Sequence, residues 1–598
     1  MTNFFSKSYL LIFALLFIVG CKDENSSNDL ITFTFEASLN EGLEKDVELV
    51  IEGTEVSGWV PGADFTNLVA TFTTNGVSVF ANGESQESGV TQNNFSNPVT
   101  YWVLAEDGSR KQYTVSISFR AVRTTKEITS LILTAQDNPC LTSDITAFIG
   151  DTHISCFIPV GCTDPVLTAV IETSGAIVKV NGTVTTELTA QLTHQGLNTY
   201  TIEAEDGSVK NYSVKFYWDS GLPVVNIKTR DYAPIVSKEE YLDGYLTISN
   251  TEFSFKGEMD IKGRGNSSWS PPKKPYHIKL KDKSKILGMP ADRDWLLIAN
   301  YTDKTLLRNR VAFEIGKRVG LPFTPRNQFV EVVLNGDYVG NYLLTEQIEV
   351  EESRVNIKEL APTDDAPDRI NGGYLLEVNA RMDELHCWKT NRGVRVCLKS
   401  PDELTTTEQL AYIQQYLQDT EDALFGTSFA DADNGYAKYI NTESFVDWYL
   451  VNEVLKNNDA IFYASVYMFK DRDGKLTMGP IWDYDIGMGN INFNGSDNPE
   501  GFHIRNAGWI TRLFKDPAFE EKFNNRWDEL RSNELGTIFD YIDQEAANLS
   551  VSQANNFRRW DIMNTWVWPN HDVFGSYQGE VDYLKSWLEL RLAWMGAQ

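Results

Sequence analysis

The sequence predicts a multidomain protein: two all-β sandwiches followed by one larger α+β domain. Three observations predict it. A chain of 598 residues exceeds what a single core supports, so about three or four domains are expected. The chain matches itself at an offset of 99 residues, Tyr101 onto Tyr200. From about Gly221 the period-two alternation gives way to helical spacing between hairpins.

The N-terminus carries Lys7 and an apolar run, Tyr9 to Val19, too short to span a bilayer but of signal-peptide length, so export is expected. The run ends in "IVGC", Ile18 to Cys21, which resembles the lipobox of bacterial lipoproteins. That resemblance implies lipidation at Cys21, a leader over 1–21, a membrane anchor in the outer membrane and a polar tether over 22–30. The acidic residues after Cys21 also resemble the surface-export signals of Bacteroidetes lipoproteins. The formal charge of −30 is spread along the chain without a basic face, which argues against nucleic acid as a partner. An exported protein can oxidise its cysteines. Cys387 and Cys397 flank "WKTNRGVRV", with a turn at Asn391 to Gly393, and are expected to form a disulfide. Of Cys140, Cys156 and Cys162 one must stay unpaired, and spacing does not say which.

The repeat sets "YWVLAEDGSRKQYTVSISF" from Tyr101 against "YTIEAEDGSVKNYSVKFYW" from Tyr200. Leu68, Ala70, Gly76, Asn82 and Gly83 also match Leu167, Ala169, Gly175, Asn181 and Gly182. Each copy alternates like short strands, with "EDGS" as a hairpin turn. Two sandwiches, 31–121 and 122–219, follow; they resemble the Ig-like modules of bacterial surface proteins. They contain no catalytic constellation, and His153 and His194 lack metal-ligand spacing. A spacer role is expected, with a glycan-binding face as the alternative.

In the third domain, 220–598, "DKTLLRNRVAFEIGKRVG", "TESFVDWYLVNEVLKN" and "VDYLKSWLELRLAWM" read as helices, and Asn335-Gly336 as a type I′ hairpin turn. In "IKGRGNSSWSPPKKPYHIKL" a strand leads into Gly263, Arg264, Gly265, Asn266 and Ser267, and the next strand carries Lys279. Glycines let amides approach an anion and a lysine can neutralise a phosphate, although a tight turn and an exposed lysine give the same pattern. A helix from about Thr302 to Val319 carries Arg308, Arg310 and Glu314, leaving open a Glu314–Lys279 ion pair. In "NNDAIFYASVYMFKDRDGKLTMGPIWDYD", strands at Ser465–Lys470 and Lys475–Trp482 flank a turn at Asp471 to Gly474. Asp483 and Asp485, two apart on a continuing strand, would share a face, and either share a cation or mark a strand end entering a solvated turn. The hairpin sets Asp483 opposite Phe462 or Ala464 and brings Asp459 to the same end of the sheet.

These segments, with "LGMPADRDWLLIANYTDKTLLRNRVAFEIGKRVG", "VEVVLNGDYVGNYLLTEQIE" and "GGYLLEV", resemble in order the spore coat protein H (CotH) kinase-like family, from about Pro223 to the C-terminus. The resemblance implies an atypical protein-kinase fold that binds ATP with Mg²⁺ and phosphorylates serines of a partner protein. By motif, Asp459 is the catalytic aspartate and Asp483 the metal aspartate. Lys279 and the turn from Gly263 to Ser267 would face the phosphates, and Glu346 with Gln347 would lie near the hinge. Kinases place an asparagine five residues after the catalytic aspartate as a second metal ligand. Here that stretch reads "AIFYAS", with Ser465 the nearest oxygen and Asp485 in a position to compensate.

Two other readings compete. One is a surface adhesion lipoprotein whose kinase-like domain is only a scaffold; Trp560, Trp566 and Trp568 could stack on sugars, though buried core is expected for most of them. The other is a glycoside hydrolase using Asp292 and Asp294, but "ADRDW" reads more simply as a turn.

Overall fold

The computed structural model describes residues 25–598 apart from 63, 120–121, 186–187, 194 and 402–404. The leader, Cys21 and the first three residues of the tether lie outside the described residues, as does the seam between the sandwiches at 120–121. The second sandwich and the domain after it belong to one compact unit, apart from the turn at Glu203–Ser208, and the first sandwich to another.

Both copies of the repeat build the same topology. In the first, one sheet contains Leu30–Phe35 between Val47–Glu48 and Thr71–Thr74. The other runs Val50–Glu52, Glu55–Trp59, Arg110–Ser118, Val99–Leu104, Ser78–Ala81, Glu84–Ser85. The second copy repeats that order from Phe148–Ile149 to Thr183–Thr185, and Val209–Trp218 pairs in parallel with His153–Ile158 as its counterpart does with Glu55–Trp59. Alternation drives the packing: Tyr101, Val103, Tyr113 and Val115 are buried, and so are Tyr200, Ile202, Tyr212 and Val214. Leu30 N donates to the Tyr113 hydroxyl, and Ile128 N to that of Tyr212. In the second copy Cys140 pairs with Cys162, leaving Cys156 as a buried thiol that burial pushes up to about 12.

The third domain opens with a closed barrel of seven strands: β1 (Val224–Thr229), β2 (Leu242–Ser249), β3 (Ser254–Gly263), β4 (Tyr276–Ile286), β5 (Met289–Ile298), β6 (Asn327–Leu334) and β7 (Asp337–Glu346). Its order is β1-β2-β3-β4-β5-β7-β6, closed by parallel pairing of β1 with β6. Helix α1, Arg308–Val319, crosses between β5 and β6. It starts later than the sequence predicts because Asp303 diverts the chain: its carboxylate accepts from Thr305 N, from Arg308 N and from the Arg308 guanidinium. Asn335 and Gly336 both take positive φ, 51° and 80°, so the predicted type I′ turn forms.

A five-stranded sheet follows, in the order β9-β10-β8-β11-β12, from β8 (Tyr374–Val378), β9 (Cys387–Lys389), β10 (Arg395–Ser400), β11 (Val466–Lys470) and β12 (Leu476–Met478). Cys387 sits opposite Cys397 on adjacent strands and the two form the expected disulfide. The helices of this domain include α2 (Thr407–Phe425), α3 (Thr442–Leu455), which packs on β12, α4 (Ile538–Asn548), α5 (Ser550–Arg559), which packs on β7 of the barrel, and α6 (Tyr577–Gly596). One apolar core, with Trp448, Trp509 and Leu588 among its buried members, joins α1 and the helices to the sheet.

The second sandwich is not a free spacer from the barrel. Ser155 Oγ donates to Gly336 O and accepts from Tyr338 N. Gly150 and Gly336 meet so closely that a Cβ on either would overlap the other's backbone. Phe157, Tyr217 and Tyr338 pack into one cluster, and Asn555 on α5 exchanges hydrogen bonds with the Trp218 backbone.

Candidate functional site

Helix α3 ends where Lys456 takes a left-handed conformation, φ 43°, and the chain then tightens into a short 3₁₀ turn at Asn458–Ala460. Asn457 fixes that turn, since its side-chain oxygen accepts from Asp459 N and its amide donates to Trp482 O. Asp459 is thereby tied to the segment that carries the other two carboxylates. Two more residues with positive φ, Phe462 and Ser465, turn the chain into β11.

The strand expected up to Trp482 stops at Met478, because Gly479-Pro480 cannot continue the ladder. Asp483 then adopts φ 67°, a region that aspartate tolerates better than most residues. Asp483 and Asp485 therefore do not share a strand face as the alternation predicts; they meet across a tight turn. Tyr484 locks this turn by donating its N–H to Asn309 on α1 and its hydroxyl to Asn452 on α3.

Burial and the neighbouring Asp483 raise Asp485 well above the usual carboxylate range, and Asp483 lies close enough to share a hydrogen bond with it. Burial and Asp483 also raise Asp459, against the opposing influence of Arg381. Asp459 and Asp485 line one cavity of about 710 Å³, together with Ser267, Ser268, Arg381 and Trp568. A narrow crevice beside it brings Asp483 and Asp485 against Arg264. Arg264 is partly buried and its guanidinium lies over the Trp482 ring at 5.5 Å; desolvation lowers its pKa while Asp483, Tyr467, Asp485 and Glu377 oppose that shift.

The turn from Gly263 to Ser267 meets the carboxylates through Arg264 and Ser267. Its glycines are structural: a Cβ on Gly263 would strike the Trp269 ring, and one on Gly265 would strike the Ser268 hydroxyl. Asn266 precedes the 3₁₀ turn Ser267–Trp269 and makes no side-chain capping bond. Lys279 does not line the cavity. It shares a face of the barrel with His277 and lies half-exposed, its Nζ 4.0 Å from Asp294, so the cation beside the carboxylates is Arg264. Glu314 instead pairs with Arg318 at 2.8 Å. Glu346 is fully buried under the Arg326 guanidinium, which donates to both of its oxygens. Ser465 Oγ stands 3.5 Å from Asp483 Oδ2, one residue past Ala464, the position where the kinase pattern calls for an asparagine.

Asp292 and Asp294 lie on β5, not in a turn. Their carboxylates cluster with Glu349, but Arg354 neutralises the group: its Nε is 3.3 Å from Asp292, it pairs with Glu349, and it donates to Asp294 O. The hydrolase reading loses its acid pair to this internal ion cluster. Of the three C-terminal tryptophans, Trp566 and Trp568 are exposed (54% and 61%), contrary to the expectation of core.

Sequence reasoning passed over Glu377, Arg381 and Tyr467. Glu377 ends the apolar "GGYLLEV" run on β8, and an acid in a buried strand was a usable signal. Burial lifts its pKa to about 7 despite Lys399 at 3.8 Å. Nothing in the local sequence marks Arg381.

The family described as CotH kinase protein matches residues 261–595, more than half of the chain and every element of this site. The chain belongs to the CotH kinase family. The N-terminal domain described as "SGBP, N-terminal" matches residues 33–117, inside the first sandwich. Among curated proteins none matches the chain. The CotH assignment carries a kinase-like fold for the third domain, and the blocks that suggested it fall within the matched span. Among the described residues no helix is long and apolar enough to cross a membrane.

Proposed function

We propose that this CotH-family chain is a phosphotransferase that moves the γ-phosphoryl group of ATP to a serine or threonine hydroxyl of a partner protein. The observation that carries this reading is the pair of partly buried carboxyl groups at Asp483 and Asp485, which line one narrow crevice with Arg264. Two carboxylates so placed repel unless a proton or a cation lies between them, and hard oxygen ligands suit Mg²⁺. Asp483 and Asp485 would hold the metal, which when bound would neutralise charge on the triphosphate. Asp459 is positioned by Asn457 to accept the proton of the attacking hydroxyl. Arg264, held over Trp482, supplies fixed positive charge toward the phosphates, and Ser267 and Ser268 offer hydroxyls at the cavity wall. Low dielectric strengthens each of these interactions.

Export and lipid anchoring at Cys21 in the outer membrane belong to the same proposal, and the "SGBP, N-terminal" match supports a surface-binding role for the first sandwich. A second reading, a kinase-shaped adhesion scaffold, is favoured by Ser465, since a hydroxyl is a weaker metal ligand than an amide oxygen. Calorimetric titration of Mg-ATP into the purified chain and its Asp483→Ala variant separates the two. Binding abolished by the substitution supports phosphotransfer; no binding by the folded chain at millimolar ATP supports the scaffold.

A further inference from the structure

Helix α1 also borders a second cavity, of about 500 Å³, whose other walls are the turn between β4 and β5, the segment leading into β6, and Tyr541 on α4. Three cations line it, Arg310, Lys317 and Arg326; Arg310 pairs with Glu545 and Arg326 with Glu346, and the one carboxylate in the wall, Glu314, is engaged by Arg318, which leaves Lys317 as the lining cation without an acidic partner among the described residues. Lys317 is exposed and has no acidic partner within ion-pair distance among the described residues. Arg310 spends its terminal nitrogens on Asn327 and Glu545, while its Nε is buried without a partner, and so is the Thr324 hydroxyl. Two buried donors left unmatched in the cavity wall, beside an unpaired lysine, are suited to an acceptor that enters from outside.

We propose that this cavity binds a small anion bearing phosphate or carboxylate groups, and that its occupancy bears on the carboxylate site. The route is short. Phe313 forms part of the cavity wall and packs on Trp482, ring centroids 5.8 Å apart. Gly316 lies so close to both sides that a Cβ there would sit 2.5 Å from Ile481 and 3.1 Å from the Thr324 hydroxyl. A ligand that draws Thr324 and Phe313 inward therefore acts on Ile481 and Trp482, the two residues before Asp483. Binding in the cavity is independent of the function proposed above; the coupling rests on it.

The test titrates inorganic pyrophosphate, and separately citrate, into the intact chain by calorimetry without metal or nucleotide. Saturable binding of at least one probe is expected, weakened by about tenfold in Lys317→Glu, as for loss of one charge-assisted contact. Thr324→Val, nearly isosteric, should also weaken it, and circular dichroism checks that both variants keep their helices. No saturation at millimolar probe, or binding that both variants leave unchanged, overturns the site. Mg-ATP is then titrated with the cavity filled: a changed affinity supports the coupling, and an unchanged affinity in a chain that binds Mg-ATP refutes it. A chain that binds the anion but no Mg-ATP refutes the phosphotransfer reading and leaves the anion site standing.

Discussion

Glu377 offers a direct test of the electrostatics around Arg264. Its carboxyl group is 7% exposed, and burial raises its pKa from 4.5 to about 7 in the fold. A raised carboxyl favours the protonated form in the native state. Between pH 4.5 and 7 the unfolded chain gives up this proton while the folded chain retains it, so Glu377 costs stability progressively across that window and no further above it. The difference amounts to about 3 kcal/mol at most. Glu377→Gln keeps a carbonyl oxygen for the Ser465 N–H and removes the charge. The variant should match the wild type at pH 4.5 and unfold at higher urea at pH 8, by up to about 3 kcal/mol. Urea midpoints followed by tryptophan fluorescence at the two pH values measure this. Equal midpoints at pH 8, or a variant less stable there, would show that Lys399 and Arg264 compensate the carboxylate fully and that its burial does not raise its pKa.

Three further perturbations probe the contacts around the site. Gly316→Ala sets a helix-propensity gain of about 1 kcal/mol against about 1–3 kcal/mol of overpacking on Ile481. The expected result is a chain of unchanged or lower urea midpoint with weakened Mg-ATP binding; a more stable variant with intact binding would refute the tight packing of α1. Arg591→Met strands Glu453, both side chains being fully buried and paired at 2.6 Å, and should lower stability by about 3–5 kcal/mol in urea unfolding. Gly336→Ala forces a side chain into a φ of 80° and onto the backbone of Gly150 and His153, so the segment at Asp219 to Gly221 should become sensitive to limited proteolysis. Unchanged proteolysis would mean that the second sandwich does not rely on this contact.

Local signals made much of the architecture readable. The sandwiches announce themselves because period-two burial and the turn at Asp107-Gly108, repeated at Asp206-Gly207, are written in adjacent residues. Asn335-Gly336 forces its turn, and α3 and α6 begin and end near where their apolar spacing places them. What escaped depends on partners distant in sequence. The start of α1 is set by the Asp303 carboxylate, and a pattern of apolar residues carries no trace of a side chain capping five residues ahead. Alternation on β4 puts Lys279 on the face of His277, yet whether that face meets the carboxylates is decided by how barrel and sheet pack. The cation that does reach them, Arg264, sits in a glycine turn that reads as a phosphate cradle, and its seat depends on Trp482, more than two hundred residues away. Asp483 is the sharpest instance. Alternation predicts that it and Asp485 share a face of one strand, and they do meet, but only because Gly479-Pro480 ends the strand and Asn309, reaching from α1, holds the turn that folds one carboxyl toward the other. The sequence pattern thus anticipated the meeting of these two carboxyl groups for a geometric reason that does not hold. The contact it anticipated is made by a helix that also walls the second cavity, which is why the two sites are expected to respond to each other.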